Sequence, residues 1–419
     1  MIDLEIPKKF VPLVKQARSV AEEVFWPIAR KYDLAEHEYP AELDLLAGVV
    51  DGLDDSGTGT GAGAKGASQT TEADADGGGH VGDGAKAPEA SGGVRNGSNM
   101  SSALSIMETC RGDVGLTLSL PRQGLGNAAI AAVATEEQKK RYGTKWASMA
   151  ITEPEAGSDA AAIRTTARKD GDEYVLNGEK IYVTAGERSD LVVVWASLDL
   201  SLGRAAIKSF VVERSNPGLT LERLEHKLGI RASDTAAFRL EECRVPATDL
   251  LGDPEIRTET GFGGAMQTFD NTRPLVAAMA IGVARASLDL TTKLLKEQGI
   301  VADPDRPAVT QSAAAARLLQ MEADYESAYL LTLRAAWMAD NAKPNSVEAS
   351  MAKAKAGRTC VNIAMGCIEL AGATGYAERD LLEKWARDGK ILDIFEGTQQ
   401  IQLLVIARRL LDLSSSQLK

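Results

Sequence analysis

The stretch that decides the architecture is Ile163-Arg164-Thr165-Thr166-Ala167, followed by Lys169-Asp170-Gly171-Asp172 and Tyr174-Val175-Leu176. β-Branched and aromatic residues flank a short polar Asp-Gly turn, which reads as a β-hairpin. Outward from it, a period of two runs from Trp146 to about Leu251. Leu191-Val192-Val193-Val194-Trp195 and Ile207-Lys208-Ser209-Phe210-Val211-Val212 read as further strands. Asn216-Pro217-Gly218 reads as a turn, and alternation resumes at Ala237-Phe238-Arg239-Leu240. No helical pattern separates these strands, so the sheet is expected to be antiparallel, a barrel or sandwich.

The period is helical on both sides of this block. Val14, Ala17, Ala21, Val24 and Ile28 recur at spacings of three and four within residues 1–50, and Pro27 marks a kink or restart. Between 100 and 145, Ser101 and Ser102 can cap a helix whose apolar face begins at Leu104, and Gly124 and Gly126 bound a turn or a close approach. After Gly261, long Ala-rich runs occupy 273–297, 309–341 and 346–372. The expected fold is α+β and multidomain. A helical domain spans 1–145, a β domain 146–255, and a C-terminal four-helix bundle 256–419.

One segment inside the first helical domain differs. Residues 51–99 hold 14 of the 39 glycines and no Phe, Trp or Tyr. Such a composition buries too little apolar surface to offset ordering entropy, so it reads as a flexible insertion. It contains two decoys. Gly61-Ala62-Gly63-Ala64-Lys65-Gly66 matches a dinucleotide fingerprint without the strand before it or the helix after it. Asp74-Ala75-Asp76-Gly77 lacks the spacing and the closing Glu of a calcium loop.

Bulk composition narrows the function classes. With 419 residues, two or three domains are expected. The net charge of -12 argues against a nucleic-acid surface but leaves room for an anionic small ligand held by local Arg residues. No run of 18 apolar residues reads as a transmembrane segment, and no signal peptide is visible. Cys110, Cys243, Cys360 and Cys367 form no CxxC pair, and His37, His80 and His226 are scattered, so no metal site is expected. A reduced, cytoplasmic compartment fits this usage.

Four segments carry chemistry. In Ile394-Phe395-Glu396-Gly397-Thr398-Gln399-Gln400-Ile401-Gln402, an apolar run delivers one carboxylate to a Gly. Partial desolvation there would raise its pKa toward the range of a general base. Taken alone, it reads first as an ordinary helix-start Glu held by the N-terminal dipole. Ala150-Ile151-Thr152-Glu153-Pro154-Glu155-Ala156-Gly157-Ser158-Asp159 follows a strand and can present N–H groups and hydroxyls to a phosphate or a polar ring edge, or be a plain turn. Tyr182 and Thr184 lie two apart and point to one face, which suits a flat heteroaromatic cofactor as well as it suits an edge strand. Phe269-Asp270-Asn271-Thr272-Arg273-Pro274 opens the first C-terminal helix, where Arg273 either holds an anion or pairs with Asp270.

These segments, with LGIRASDT, NGEKIYVTAGE and RDGKILDIFEGTQQIQ in the same order, resemble the acyl-CoA dehydrogenases from about Ser101 to the C-terminus, and most closely an actinobacterial branch with a Gly-rich insertion. The resemblance implies FAD between the β domain and the C-terminal bundle, with an acyl-CoA thioester against the flavin. Glu396 would remove the α-proton, and the β-hydrogen would leave as hydride to flavin N5. Ile151, Thr152 and Thr184 would meet the flavin ring edge, Tyr182 would stack, and Gly157 and Ser158 would reach the pyrophosphate. Thr398 and Gln400 would contact the adenosine part. Ser158, Asp270, Arg273, Phe395 and Gly397 would line the substrate site, with Arg273 on the CoA portion or steadying its helix. The family's alternative base position is occupied here by Thr272, which selects Glu396. Electrons would pass to an electron-transfer flavoprotein, in a homo- or hetero-tetramer of paired dimers.

The sequence also departs from the family pattern. Tyr182 stands where Trp is usual. Gln298 to Pro304 lacks the usual Arg and Phe that reach a neighbour's FAD, and Glu369-Leu370-Ala371-Gly372-Ala373 replaces the usual Gln-x-x-Gly-Gly. Both changes fall on contacts made in trans, so a different subunit would complete the site. The insertion replaces a loop that helps line the acyl tunnel, which leaves the acyl group unread. Two rival readings are an acyl-CoA oxidase, which usually carries a further C-terminal domain, and a non-catalytic subunit, which has no reason to keep Glu396.

Overall fold

A computed structural model describes residues 6–46, 97–121, 124–256, 263–341, 343–414 and 417, with backbone alone for 263–271. The expected insertion lies outside these residues up to position 96.

The hairpin forms where its turn residues place it. β2 (Thr166–Asp170) pairs antiparallel with β3 (Glu173–Thr184), and Asp170 faces Glu173 across Gly171 and Asp172. Gly171 has φ 61, the left-handed value that the first position of a two-residue hairpin turn demands. The remaining strands are β1 (Ala147–Ala150), β4 (Leu191–Ser197), β5 (Ile207–Glu213), β6 (Leu219–Leu224) and β7 (Thr235–Pro246). Their order is β1-β4-β2-β3-β7-β6, with β5 on β4.

The sheet is mixed rather than purely antiparallel. β1 runs parallel to β4 from Ala147↔Leu191 to Ala150↔Val194, and β2 meets β4 in parallel at Thr166↔Ser197. The absence of a crossover helix misled the sequence reading. The crossover from β1 to β4 is made instead by the 151–165 loop and the β2–β3 hairpin. β4 is buried along its whole length because its two faces feed different cores. Val192, Val194 and Ala196 pack with Leu176, Phe210 and Phe238, while Leu191, Val193 and Trp195 pack with Ala129 and Ile130 of a neighbouring helix.

The N-terminal helices α1 (Val11–Ser19) and α2 (Trp26–Leu34) are joined by a π-helical segment, Val20–Phe25. The wider turn ends just before Pro27, which has no N–H to offer the preceding turn. It also moves the buried stripe, so that Phe25 and Ala29 are buried while Val24 and Ile28 are only half-buried.

The helix expected after residue 100 begins earlier. α3 (Ser98–Gly112) contains Ser101 and Ser102 in its buried interior rather than as caps. Its free N–H groups are satisfied from far away: both carboxylate oxygens of Asp340 accept from the backbone N–H groups of Gly97, Asn99 and Met100 at 2.7, 2.9 and 3.0 Å.

α3 packs into the C-terminal bundle of α4 (Gly263–Glu297), α5 (Ala313–Asp340) and α6 (Ser346–Ala371), closed by α7 (Leu382–Ile391) and α8 (Gln399–Leu410). Pro274 lies inside α4, so Phe269 to Pro274 does not open that helix. The Ala and Gly content of these helices allows close backbone approach. A Cβ on Gly282 would sit 2.2 Å from the Met107 carbonyl oxygen. The segment Thr272–Glu297 is long and apolar enough to cross a membrane by composition, with mean hydropathy 1.4, yet 67% of that window is buried inside the protein as its core helix.

Two of the sequence motifs meet at the junction of sheet and bundle. The backbone N–H of Ile230 donates to the Asp388 carboxylate at 2.6 Å, and Lys384 bridges Asp388 and Asp113 at 2.5 Å each, all four residues being buried. A Cβ on Gly229 would lie 2.5 Å from the Arg387 carbonyl, so glycine is what lets the loop dock there.

Candidate active site

Glu396 occupies the turn between α7 and α8, two residues before Thr398, the N-cap of α8. It is therefore not a helix-start residue. Its φ of 52 and the φ of 94 at Gly397 put two successive residues in the left-handed region, a strained arrangement for the non-glycine member. Two buried side chains, Lys353 and Gln402, hold this shape together with the cap of the next helix. Lys353 Nζ donates to the Gly397 carbonyl at 2.6 Å. Gln402 Nε2 donates to the carbonyls of Glu396 and Gly397 at 3.1 and 3.2 Å. The Thr398 hydroxyl accepts from the Ile401 N–H at 3.4 Å, and the Gln399 N–H donates to the Asp393 carbonyl at 3.2 Å. A Cβ on Gly397 would meet Gln402 Nε2 at 2.4 Å.

The carboxylate itself faces inward. Oε2 of Glu396 is sealed from solvent and has no hydrogen-bond partner. Burial pushes the Glu396 pKa above the ordinary carboxyl value. A hydrogen bond from Thr272 and the charges of Lys353 and Arg273 oppose that push without cancelling it. Burial also drives the Lys353 pKa down to about 8, against the pull of Glu396 and Asp393. Thr272, at the position the resemblance gives to an alternative base, thus donates to Glu396. Arg273 is buried and acts electrostatically on Glu396. Asp270 lies on α4 with its side chain outside the described residues. Phe395 is half-buried against the bundle core, and Gln400 is exposed on the first turn of α8.

The second half of the site is the edge of the sheet. Between Lys180↔Phe238 and Val183↔Ala236 the β3–β7 register slips, so that Ile181 and Tyr182 together oppose Ala237. Tyr182 takes φ 59 at this bulge and is 62% exposed. Thr184 is half-buried at the end of the strand, as is Thr152, whose carbonyl accepts from the Ile181 N–H at 2.9 Å. Ile151 is buried; Gly157 and Ser158 are exposed, and a Cβ at Gly157 would meet nothing within 4 Å.

This loop is fixed from beneath by a pair that the sequence reading missed. Lys180 Nζ, fully buried, donates to the Glu153 carboxylate at 2.7 Å and to the Ile151 carbonyl at 3.1 Å. Glu153 also accepts from the N–H groups of Arg164 and Thr165 at 2.6 and 3.0 Å and from the Thr165 hydroxyl at 2.5 Å. Burial pushes the Glu153 carboxyl up, but these partners outweigh it and hold it below the ordinary value. The only signal in the sequence was a Lys between strand residues, which looks like any solvent-facing one.

Comparison with known proteins decides the family. The N-terminal, middle and C-terminal domains of acyl-CoA dehydrogenase match residues 83–150, 148–243 and 259–411. The chain is 38% identical over 317 residues to the short-chain specific acyl-CoA dehydrogenase of rat mitochondria, covering 74% of this chain and 75% of that one. The chain belongs to the acyl-CoA dehydrogenase family. It is likewise 35% identical to a subunit of the caffeyl-CoA reductase–Etf complex of Acetobacterium woodii, over 78% of this chain and 86% of that one. The structure of butyryl-CoA dehydrogenase from Megasphaera elsdenii superposes with a TM-score of 0.78 at 29% identity, covering 98% of this chain and all of the other.

Acyl-CoA dehydrogenases are FAD-dependent oxidoreductases, and this chain's residues fit that cofactor. An exposed aromatic ring on a strained bulge, two threonines beside it and an open glycine followed by an exposed serine match a flat ring with a diphosphate tail. The family's three-part architecture, helical at both ends with a curled sheet between, is the one described above.

Proposed function

We propose that this chain oxidises an acyl-CoA thioester across its α,β bond to the trans-2-enoyl-CoA, with Glu396 as the base that takes the α-proton. The observation that carries this reading is the Glu396 carboxylate: desolvated, raised in pKa, and with Oε2 unpartnered in the interior. A free lone pair on a carboxylate of raised pKa is what proton abstraction beside a thioester needs. Thr272 keeps the carboxyl oriented by its hydrogen bond, and the charges of Lys353 and Arg273 favour its ionised form against the push of burial.

FAD, when bound, supplies the acceptor for the β-hydrogen, taken as hydride at N5. The residues that would hold it are Ile151, Thr152, Tyr182 and Thr184 at the ring, Gly157 and Ser158 at the pyrophosphate, and Thr398 and Gln400 at the adenosine. Ser158, Asp270, Arg273, Phe395 and Gly397 are assigned to the substrate. Electrons then go to an electron-transfer flavoprotein, a reading supported by the A. woodii relative's membership of an Etf complex. The four cysteines are all free and buried, which supports a reduced cytoplasmic setting.

The test is anaerobic bleaching of the flavin absorbance by a panel of short, long, branched and aryl acyl-CoAs. Wild type should bleach with at least one class, and Glu396→Gln should keep its flavin and lose about 10²–10⁴-fold in bleaching rate. Undiminished bleaching in that variant places the base elsewhere.

One observation favours a mixed assembly as a second reading. Glu369, at the position of a usual trans contact, forms an ion pair with Arg317 of its own chain. Gel filtration with FAD titration of the chain expressed alone tests it; a homotetramer with one FAD per subunit rules it out.

A further inference from the structure

Two of the three histidines, far apart in sequence, come together away from the active site. His37 and His226 have ring centroids 5.0 Å apart, and Glu36 joins them. One ligand atom from each of the three lies within 4.8 Å of the other two. Glu36 and His37 follow α2, and His226 follows β6, so the cluster spans the N-terminal helices and the sheet. We propose that Glu36, His37 and His226 form a zinc-type divalent metal site that fastens the N-terminal helices to the β sheet.

The chemistry of His37 is the strongest argument. Both of its ring nitrogens are sealed from solvent and neither has a hydrogen-bond partner. A buried polar group left in that state points to a missing ion or water. Its backbone is also strained, at φ 74. Strain and an unsatisfied ring at one residue persist only where the surroundings enforce them. The surroundings do: Arg188 donates to the carbonyls of His37 and Glu38 at 3.3 and 3.0 Å and pairs with buried Asp234 at 3.4 Å.

The other two ligands are oriented as well. Glu36 accepts from the Lys227 backbone N–H at 2.8 Å through one oxygen and faces His226 Nδ1 at 2.8 Å through the other. The Lys227 ammonium is turned away, donating to the Ser233 carbonyl at 2.8 Å. Zinc bonds of about 2.0–2.1 Å in a tetrahedron set ligand atoms about 3.3 Å apart. The Glu36–His226 contact therefore opens slightly, and the metal takes the place of the proton shared there, which leaves to solvent. The His226 side chain is 82% exposed, which gives the fourth position to water. Two imidazoles and one carboxylate suit zinc, cobalt or nickel rather than magnesium or calcium.

The test uses the full-length, FAD-loaded protein, treated with EDTA, desalted, and titrated calorimetrically with zinc chloride, with cobalt absorption as a second readout. We expect one zinc per chain and a cobalt spectrum of low coordination number. His226→Gln, at an exposed side chain, should weaken binding at least tenfold with the melting temperature of the metal-free protein unchanged. His37→Gln/His226→Gln should abolish it with flavin absorbance unchanged. Equal zinc uptake by wild type and His226→Gln, or none by wild type, overturns the site.

Discussion

The ammonium of Lys353 donates to the carbonyl of Gly397 across 2.6 Å, from a side chain with 0% exposure. A lysine is rarely buried without a carboxylate at contact distance. Here its first duty is geometric: it pins the peptide that follows Glu396. Its second is electrostatic, because its charge lowers the cost of ionising Glu396. In Lys353→Met that help is gone, so the Glu396 pKa should climb further. Activity, which requires the ionised base, should then disappear at a higher pH on the acid side than in wild type. A pH profile of kcat/KM measures this; an acid limb that stays in place removes the electrostatic role.

The same lysine also makes stability depend on pH. Its folded pKa of about 8 lies below the ordinary 10.5, so between those values the unfolded chain binds more protons than the folded one. Stability contributed at this position therefore rises with pH through that window. Wild type should gain up to about 3 kcal/mol on Lys353→Met between pH 8 and 10.5, the free-energy equivalent of that difference. Urea unfolding of both proteins at pH 7.5 and 10 gives the comparison, and a constant difference contradicts it.

Beneath the 151–165 loop, Lys180→Met would strand Glu153 in the interior. Removing one partner of a buried pair costs about 3–5 kcal/mol. The loss should be smaller in Glu153→Gln/Lys180→Met than the two single losses summed, since the double variant leaves no buried charge. Chemical denaturation around this cycle, with FAD retention as a second reading, checks it. Strict additivity would mean the two residues do not act as a pair.

Two glycines separate conformation from ligand contact. Gly397→Ala places a methyl 2.4 Å from Gln402 Nε2 at a φ of 94, and should cost about 1–3 kcal/mol while lowering kcat. Gly157→Ala meets no atom of the chain within 4 Å, so its stability should change by less than about 0.5 kcal/mol. If the diphosphate of FAD lies against Gly157, that silent change will still weaken FAD binding. Unchanged FAD affinity in Gly157→Ala moves the diphosphate elsewhere.

The docked junction gives the last prediction. Lys384→Met leaves Asp113 and Asp388 buried with no cation between them, and should cost about 3–5 kcal/mol. Because Asp388 also accepts from Ile230, the loop between β6 and β7 should lose its fixed relation to α7 and the Glu396 turn, and kcat should fall with the melting temperature. A stable variant with full activity would show that the junction carries no positional information.

What the sequence determined by itself is what local chemistry can write. Gly171 and Asp172 set the hairpin, the period of two marked the strands, Ala-rich runs marked the bundle, and the order of short motifs named the family. Each of these depends on neighbours a few residues away. The tertiary structure alone decided the rest, because it depends on which side chains a fold brings together. Asp340 caps a helix that begins some 240 residues earlier, Lys180 turns inward under a loop, and β1 lies parallel to β4 through an unforeseen crossover. Lys353 and Lys355 sit two apart in one Ala-rich helix. Only the packing against Gly397 shows that the first is buried beside Glu396, while the second meets Asp324 at 3.1 Å near the surface. Periodicity reveals that a residue is on a face; burial beside a desolvated carboxylate is a property of the whole chain.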